Sequence, residues 1–134
     1  MSDLMYQIQE ITVPQFSFAL NPVENETVDP KLKIGGSASL EGEELTIMIR
    51  VSTDKDPKSK YYLDAIAKGS MRIKNYVDGE EERKRIKRIG FSTVYPYLRS
   101  SLSAAVSVLA AYKLDLGIID IDTVFEKVNI VVAK

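Results

Sequence analysis

The chain has no cysteine, no histidine and no tryptophan in 134 residues. Without cysteine there is no disulfide frame, no thiolate nucleophile and no thiolate zinc site. Without histidine it lacks the side chain that titrates nearest neutral pH, which is also the commonest metal ligand. Catalysis would have to run on carboxylates, lysine, tyrosine and serine, as in a glycosidase-like carboxylate pair. The sequence therefore points away from an enzyme. An excess of one charge is also missing: 18 basic residues stand against 19 acidic ones, and a net charge of -1 favours no polyanion. No apolar run approaches the ~20 residues that span a bilayer. The opening MSDLMYQIQE has no basic region followed by an apolar one, so it does not read as a signal peptide. A cytoplasmic protein that does not insert into membranes is expected. With 45% apolar and 28% charged residues, the length fits a single domain over 1–134 that buries roughly two-thirds of its unfolded surface.

What is present begins with alternation. Tyr6 to Val13 mixes apolar residues with Gln and Glu in a strand pattern. Pro14 cannot donate to a ladder and marks an edge or bulge. The pattern then resumes with Phe16, Phe18 and Leu20 on one face. Residues 22–31 are polar with two prolines, which predicts a loop. Leu32, Ile34, Ala38 and Leu40 predict a strand broken by a turn or bulge at Gly35-Gly36. After a turn at 41–44, Leu45, Ile47, Ile49 and Val51 complete a hairpin. A second polar loop over 52–60 leads to a strand from Tyr61 to about Tyr76. Gly69 within it signals a bulge or a close backbone approach.

The second half turns helical. Glu80–Glu82 precede Arg83–Arg85 at spacings that pair along a helix and suit its dipole, and Gly90 is expected to break it. A long helix follows from Ser92 or Thr93 to about Lys113, with Pro96 in its first turn. Its apolar stripe is Leu98, Leu102, Ala105, Val106, Leu109 and Tyr112. The remaining surface is mostly Ser and Ala, including Ser100, Ser103, Ala104 and Ser107, which suits close approach of another subunit. Leu114, Leu116, Ile118 and Ile119 form an apolar arm. Asp120 or Asp122 can cap a short helix bearing Val124, Phe125 and Val128. The ending NIVVAK can fray, pair or extend that helix. The order is α+β: a four-stranded antiparallel sheet, a long helix and a short C-terminal helix.

Two blocks carry a family resemblance. YQIQEITVPQFSFALNP at 6–22 and YPYLRSSLSAAVSVLAAYKLDLGIIDIDTVFEKV at 95–128 resemble, without gaps, the corresponding stretches of SecB protein-export chaperones. The matches are Gln7, Ile8, Gln9, Ile11, Ser17 and Phe18 in the first block. In the second they are Pro96, Tyr97, Arg99, Val106, Ser107, Leu114, Leu116, Asp122 and Phe125. YYLDAIAKGSM at 61–71 shares an apolar–acid–apolar pattern and Gly69 with the strand between them. The resemblance implies a homo-oligomer, a tetramer built as a dimer of dimers. It would hold unfolded polypeptide clients in apolar grooves without nucleotide or other cofactor and pass them to the motor SecA for export. It places Tyr61, Leu63, Ala65 and Ala67 on a subunit-packing face, with Tyr62 and Asp64 opposite, toward the motor.

The chain departs from the family at Gln15 and Ala19, where the motor-facing surface is acidic, and at Val108–Tyr112 after the long helix. The family's motor-binding tail has no counterpart after Lys134. A SecB-fold protein dedicated to one partner, such as an antitoxin, is the alternative. A holdase of either kind needs extended aromatic surface rather than one pocket. Client-groove candidates are Phe16, Phe18, Leu20, Tyr95, Tyr97 and Tyr112. The basic run Arg83, Lys84, Arg85, Lys87 and Arg88 reads as a solvated helix neutralised by its acids rather than a nucleic-acid site. Asp115, Asp120 and Asp122 read as caps and turns rather than a metal cluster.

Overall fold

The computed structural model describes residues 4–21, 29–54, 56–110, 112–117 and 119–133. Residues 22–28 of the expected first loop, Lys55 of the second, Ala111, Ile118 and Lys134 lie outside the described residues. The chain forms β1 (Met5–Leu20), β2 (Leu32–Glu41), β3 (Glu44–Thr53), β4 (Tyr61–Lys74), α1 (Glu80–Ala110), α2 (Ile121–Val124) and β5 (Ile130–Ala133). The sheet order is β1-β4-β3-β2-β5. All neighbours are antiparallel except β2 and β5, which run parallel. This is the expected α+β order with a fifth strand: of the NIVVAK ending, Ile130–Ala133 pair along Ala38–Glu41.

Sequence chemistry explains most of the ladder. Gly42 takes φ +62 in the tight turn between β2 and β3, a conformation that costs glycine little. β2 runs through Gly35-Gly36 with an unbroken register to β3, so the expected interruption there does not occur. β1 shifts register between Thr12 and Gln15, where Pro14 cannot supply a ladder donor. Gly69 proves to be a close approach: a Cβ there would lie 2.4 Å from Val94 Cγ2 of the helix above.

One helix replaces the expected two. α1 continues for 31 residues through Gly90 and Pro96, about 46 Å at 1.5 Å per residue. Gly90 does not end it because packing requires a glycine there: a Cβ would meet Ile47 Cδ1 at 2.5 Å. Pro96 sits well inside the helix and on its exposed side, where it removes the bond to the Ser92 carbonyl. The core lies between α1 and one sheet face. Leu45, Ile47, Ile49 and Val51 of β3 meet Ile86, Phe91, Val94, Leu98 and Leu102 of α1, all buried. Each large side chain removed from water there contributes about 1.5–3 kcal/mol.

Tyr61, Leu63, Ala65 and Ala67 belong to this core, with exposures of 6%, 2%, 0% and 0%. The face expected to pack against another subunit is therefore covered by the chain's own helix. Alternation identified which residues share a face but not what lies on it. Leu109 departs in the opposite sense. It lies on the Leu98–Leu102 azimuth, yet it is 77% exposed.

Candidate polypeptide-binding groove

The second half of α1 and the arm that follows it enclose an open crevice of about 860 Å³. Arg99, Ser103, Ala104 and Ser107 recur at three- and four-residue spacing and so share one flank of the helix. Tyr112, Lys113, Leu114 and Asp115 form the opposite wall. Ser103 Oγ donates to the Leu114 carbonyl at 2.9 Å, fixing the arm against the helix. Arg99 reaches Asp115 at 3.7 Å across the mouth. Asp115 also accepts the Gly117 amide at 2.8 Å, and Gly117 takes φ +74, so the arm turns there. Leu114 and Leu116 point into the core. With the arm's leucines turned inward, the small side chains of the helix face a wall carrying the Tyr112 ring and the Lys113 and Asp115 charges.

At one end the crevice meets a triad of rings. Phe18 lies 5.5 Å from Tyr61 and 5.9 Å from Tyr112, and Tyr61 meets Tyr112 edge-on at 5.7 Å. Such tilted contacts suit the ring quadrupoles. Burial pushes the Tyr61 hydroxyl above the ordinary tyrosine value, and Tyr112 and Asp29 add to the shift. Tyr61 therefore stays neutral at physiological pH. Tyr112 belongs to both the triad and the crevice, and so joins the end of β1 to the channel.

The groove candidates separate into three groups. Phe18 and Tyr112 come together at the crevice. Phe16 is half-buried on the core and Leu20 is exposed at the end of β1. Tyr95 is buried, its hydroxyl 3.4 Å from the Gly117 carbonyl beneath the arm. Tyr97 is 44% exposed and projects from the flank away from Arg99, since two helical residues turn about 200°. Of the helix residues expected at a subunit interface, Ser103, Ala104 and Ser107 line the crevice and Ser100 is exposed. The sequence reading missed that Tyr61, itself buried, backs Tyr112 at the end of the crevice. Its signal was pairing position, since Tyr61 lies opposite Leu20 and beside the Phe18–Leu63 pair.

The uncovered sheet face carries the residues expected to meet a motor. Tyr62 is half-buried and donates to the Asp56 carbonyl at 3.1 Å. Asp64 accepts two bonds from Arg50, 3.0 and 2.8 Å long, and this bidentate pair neutralises it. Gln15 and Ser17 beside it on β1 are uncharged. Among the described residues no cluster of acidic side chains is arranged to hold a metal ion. No helix among them is long and apolar enough to cross a membrane.

No family model matches the chain, and no curated protein matches it. Solved structures do. The SecB-like chaperone Rv1957 of Mycobacterium tuberculosis, solved with a ChAD peptide from the HigA1 antitoxin, superposes with TM-score 0.65. The match covers 85% of this chain and 90% of that one at 17% identity. A Streptococcus agalactiae protein of unknown function superposes with TM-score 0.56 at 8% identity, covering 87% of this chain and 100% of its own. Sheet order, long covering helix and C-terminal arm together give this chain a SecB-like fold.

Proposed function

We propose that this protein is a non-enzymatic, ATP-independent holdase of the SecB-like kind that binds unfolded polypeptide along the crevice between α1 and its arm. The observation that carries the reading is the junction at Tyr112, where a ring triad opens into a channel of about 860 Å³. Rings give large contact area at low entropic cost, and backbone and charged groups beside them accept many sequences. Several such weak sites on one oligomer reinforce each other through effective concentration. A tetramer built as a dimer of dimers belongs to this reading. Ser100 and Val108, the latter 83% exposed, share a helix face without charge that suits a second copy. Export is the expected setting in the cytoplasm, but handover to SecA is left out, because Asp64 is already paired and Gln15 and Ala19 carry no charge.

The test is aggregation of a denatured model protein with and without the chain, together with solution mass. Suppression by the wild type, lost in Tyr112→Ser, is expected. No suppression by a correctly assembled wild type sinks the reading.

A second reading rests on one specific observation: the structure with TM-score 0.65 holds an antitoxin peptide. On that reading this chain serves one dedicated partner through the same crevice. Strong preference for a single peptide over generic unfolded chains would favour it.

A further inference from the structure

We propose that the outer edge of β2, from Leu32 to Ser37, accepts an extended segment of a partner polypeptide carrying an aromatic residue opposite Gly35. β5 already demonstrates that this edge takes a strand, but it pairs only with Ala38–Glu41. Among the described residues nothing pairs with the outer side of the six residues before them. Edges are usually guarded by proline, bulges or free charges. This stretch has no proline and no register shift, and its one charged residue, Lys33, is held by Asp54 at 2.8 Å.

Gly35 is the second observation. A Cβ there would meet nothing within 4 Å, and its φ is not positive, so neither packing nor backbone geometry within this chain calls for glycine. Glycine inside a strand weakens it and often marks close approach of another backbone or ligand. Beside it, on the sheet face away from α1, lies a trough of about 310 Å³ lined by Gly35, Ser37, Met48, Arg50 and Ile66. Met48 is 37% exposed there. Alternation along the row fixes what enters. Val131 pairs with Ser39 on this open face, whereas Ile130 and Val132 turn toward the core. A partner residue opposite Gly35 therefore also lies on the open face. A ring laid across a strand glycine packs well, and the Arg50–Asp64 pair at the rim offers no net charge to recruit. The surface is separate from the crevice, which lies on the helix side.

The probe is an end-blocked synthetic peptide of about eight residues alternating threonine with valine and one central tyrosine, beside a version N-methylated at alternate amides. Hydrogen exchange should slow at Leu32–Ser37 when the unmodified peptide is added. Its affinity should fall about tenfold with Gly35→Val, which narrows the trough and whose Cβ would meet nothing within 4 Å, and the N-methylated peptide should not bind. Protection confined to residues 112–115 or to β1, equal binding of the N-methylated peptide, or no binding of the unmodified one would overturn the proposal. So would unchanged affinity of Gly35→Val. None of these outcomes depends on whether the crevice holds clients.

Discussion

Phe91 and Phe125 stack with centroids 4.0 Å apart and planes 7° from parallel, and Gly36 lies directly against both rings. This contact ties α1, the end of α2 and the sheet into one core. Phe125→Ala should cost about 3–5 kcal/mol in chemical denaturation. It should also speed amide exchange in Ile130–Ala133, since Phe125 is the last buried side chain before that strand. Unchanged exchange there would show that β5 holds itself.

Glycines set the distance between layers. Gly69→Ala would place a methyl 2.4 Å from Val94 Cγ2, and overpacking of this kind costs about 1–3 kcal/mol. Val94 is β-branched and cannot swing clear. The double variant Gly69→Ala with Val94→Ala should recover part of the loss, and strict additivity of the two would refute direct contact.

Tyr112 separates holding from folding. Tyr112→Ser removes one ring from two contacts worth about 0.5–1.5 kcal/mol each. The denaturation midpoint should therefore fall modestly while client holding falls severalfold. Equal losses in both would mean that the ring serves only stability.

Asp78 gives a pH signature. It accepts two bonds from Arg83, at 2.8 and 3.0 Å, and one from the Tyr76 hydroxyl at 2.7 Å. The Arg83 bonds, then the Tyr76 bond, hold its carboxyl well below the usual carboxylate range. A depressed folded value means that the contribution is fully present above the unfolded carboxylate's titration range. It is lost as pH falls from that range toward the folded value. The gap in unfolding midpoint between wild type and Asp78→Asn should be widest near neutrality and close in acid. A constant gap would remove the ionic explanation.

Local chemistry made much of this fold legible in the sequence. The hairpin, the shift at Pro14, the approach at Gly69 and the Asp120 cap, which accepts from the Asp122 and Thr123 amides, all depend on near neighbours or on one residue's geometry. Gly90 and Pro96 misled because helix propensity does not register Ile47 pressing from another strand. β5 was ambiguous because four residues are too few for periodicity and its partner lies far back in the chain. Of the residues around the crevice, Phe18 and Tyr112 were named in the sequence as groove candidates, though alternation alone fits Phe18 to the core as well. Tyr61 and the Arg99–Asp115 closure emerged only from pairing in space.

The crossed strand order affects how the chain is made. β1 leaves a ribosome well before β4, its one neighbour among the described residues, which begins at Tyr61 after forty intervening residues. At about 5–20 residues per second, that is a wait of roughly 2–8 s. During that interval the nascent segment with Met5, Tyr6 and Ile8 has no β4 to pair with, so this holdase candidate itself passes through a stage as the kind of sticky, unpaired ribbon that cells must shelter.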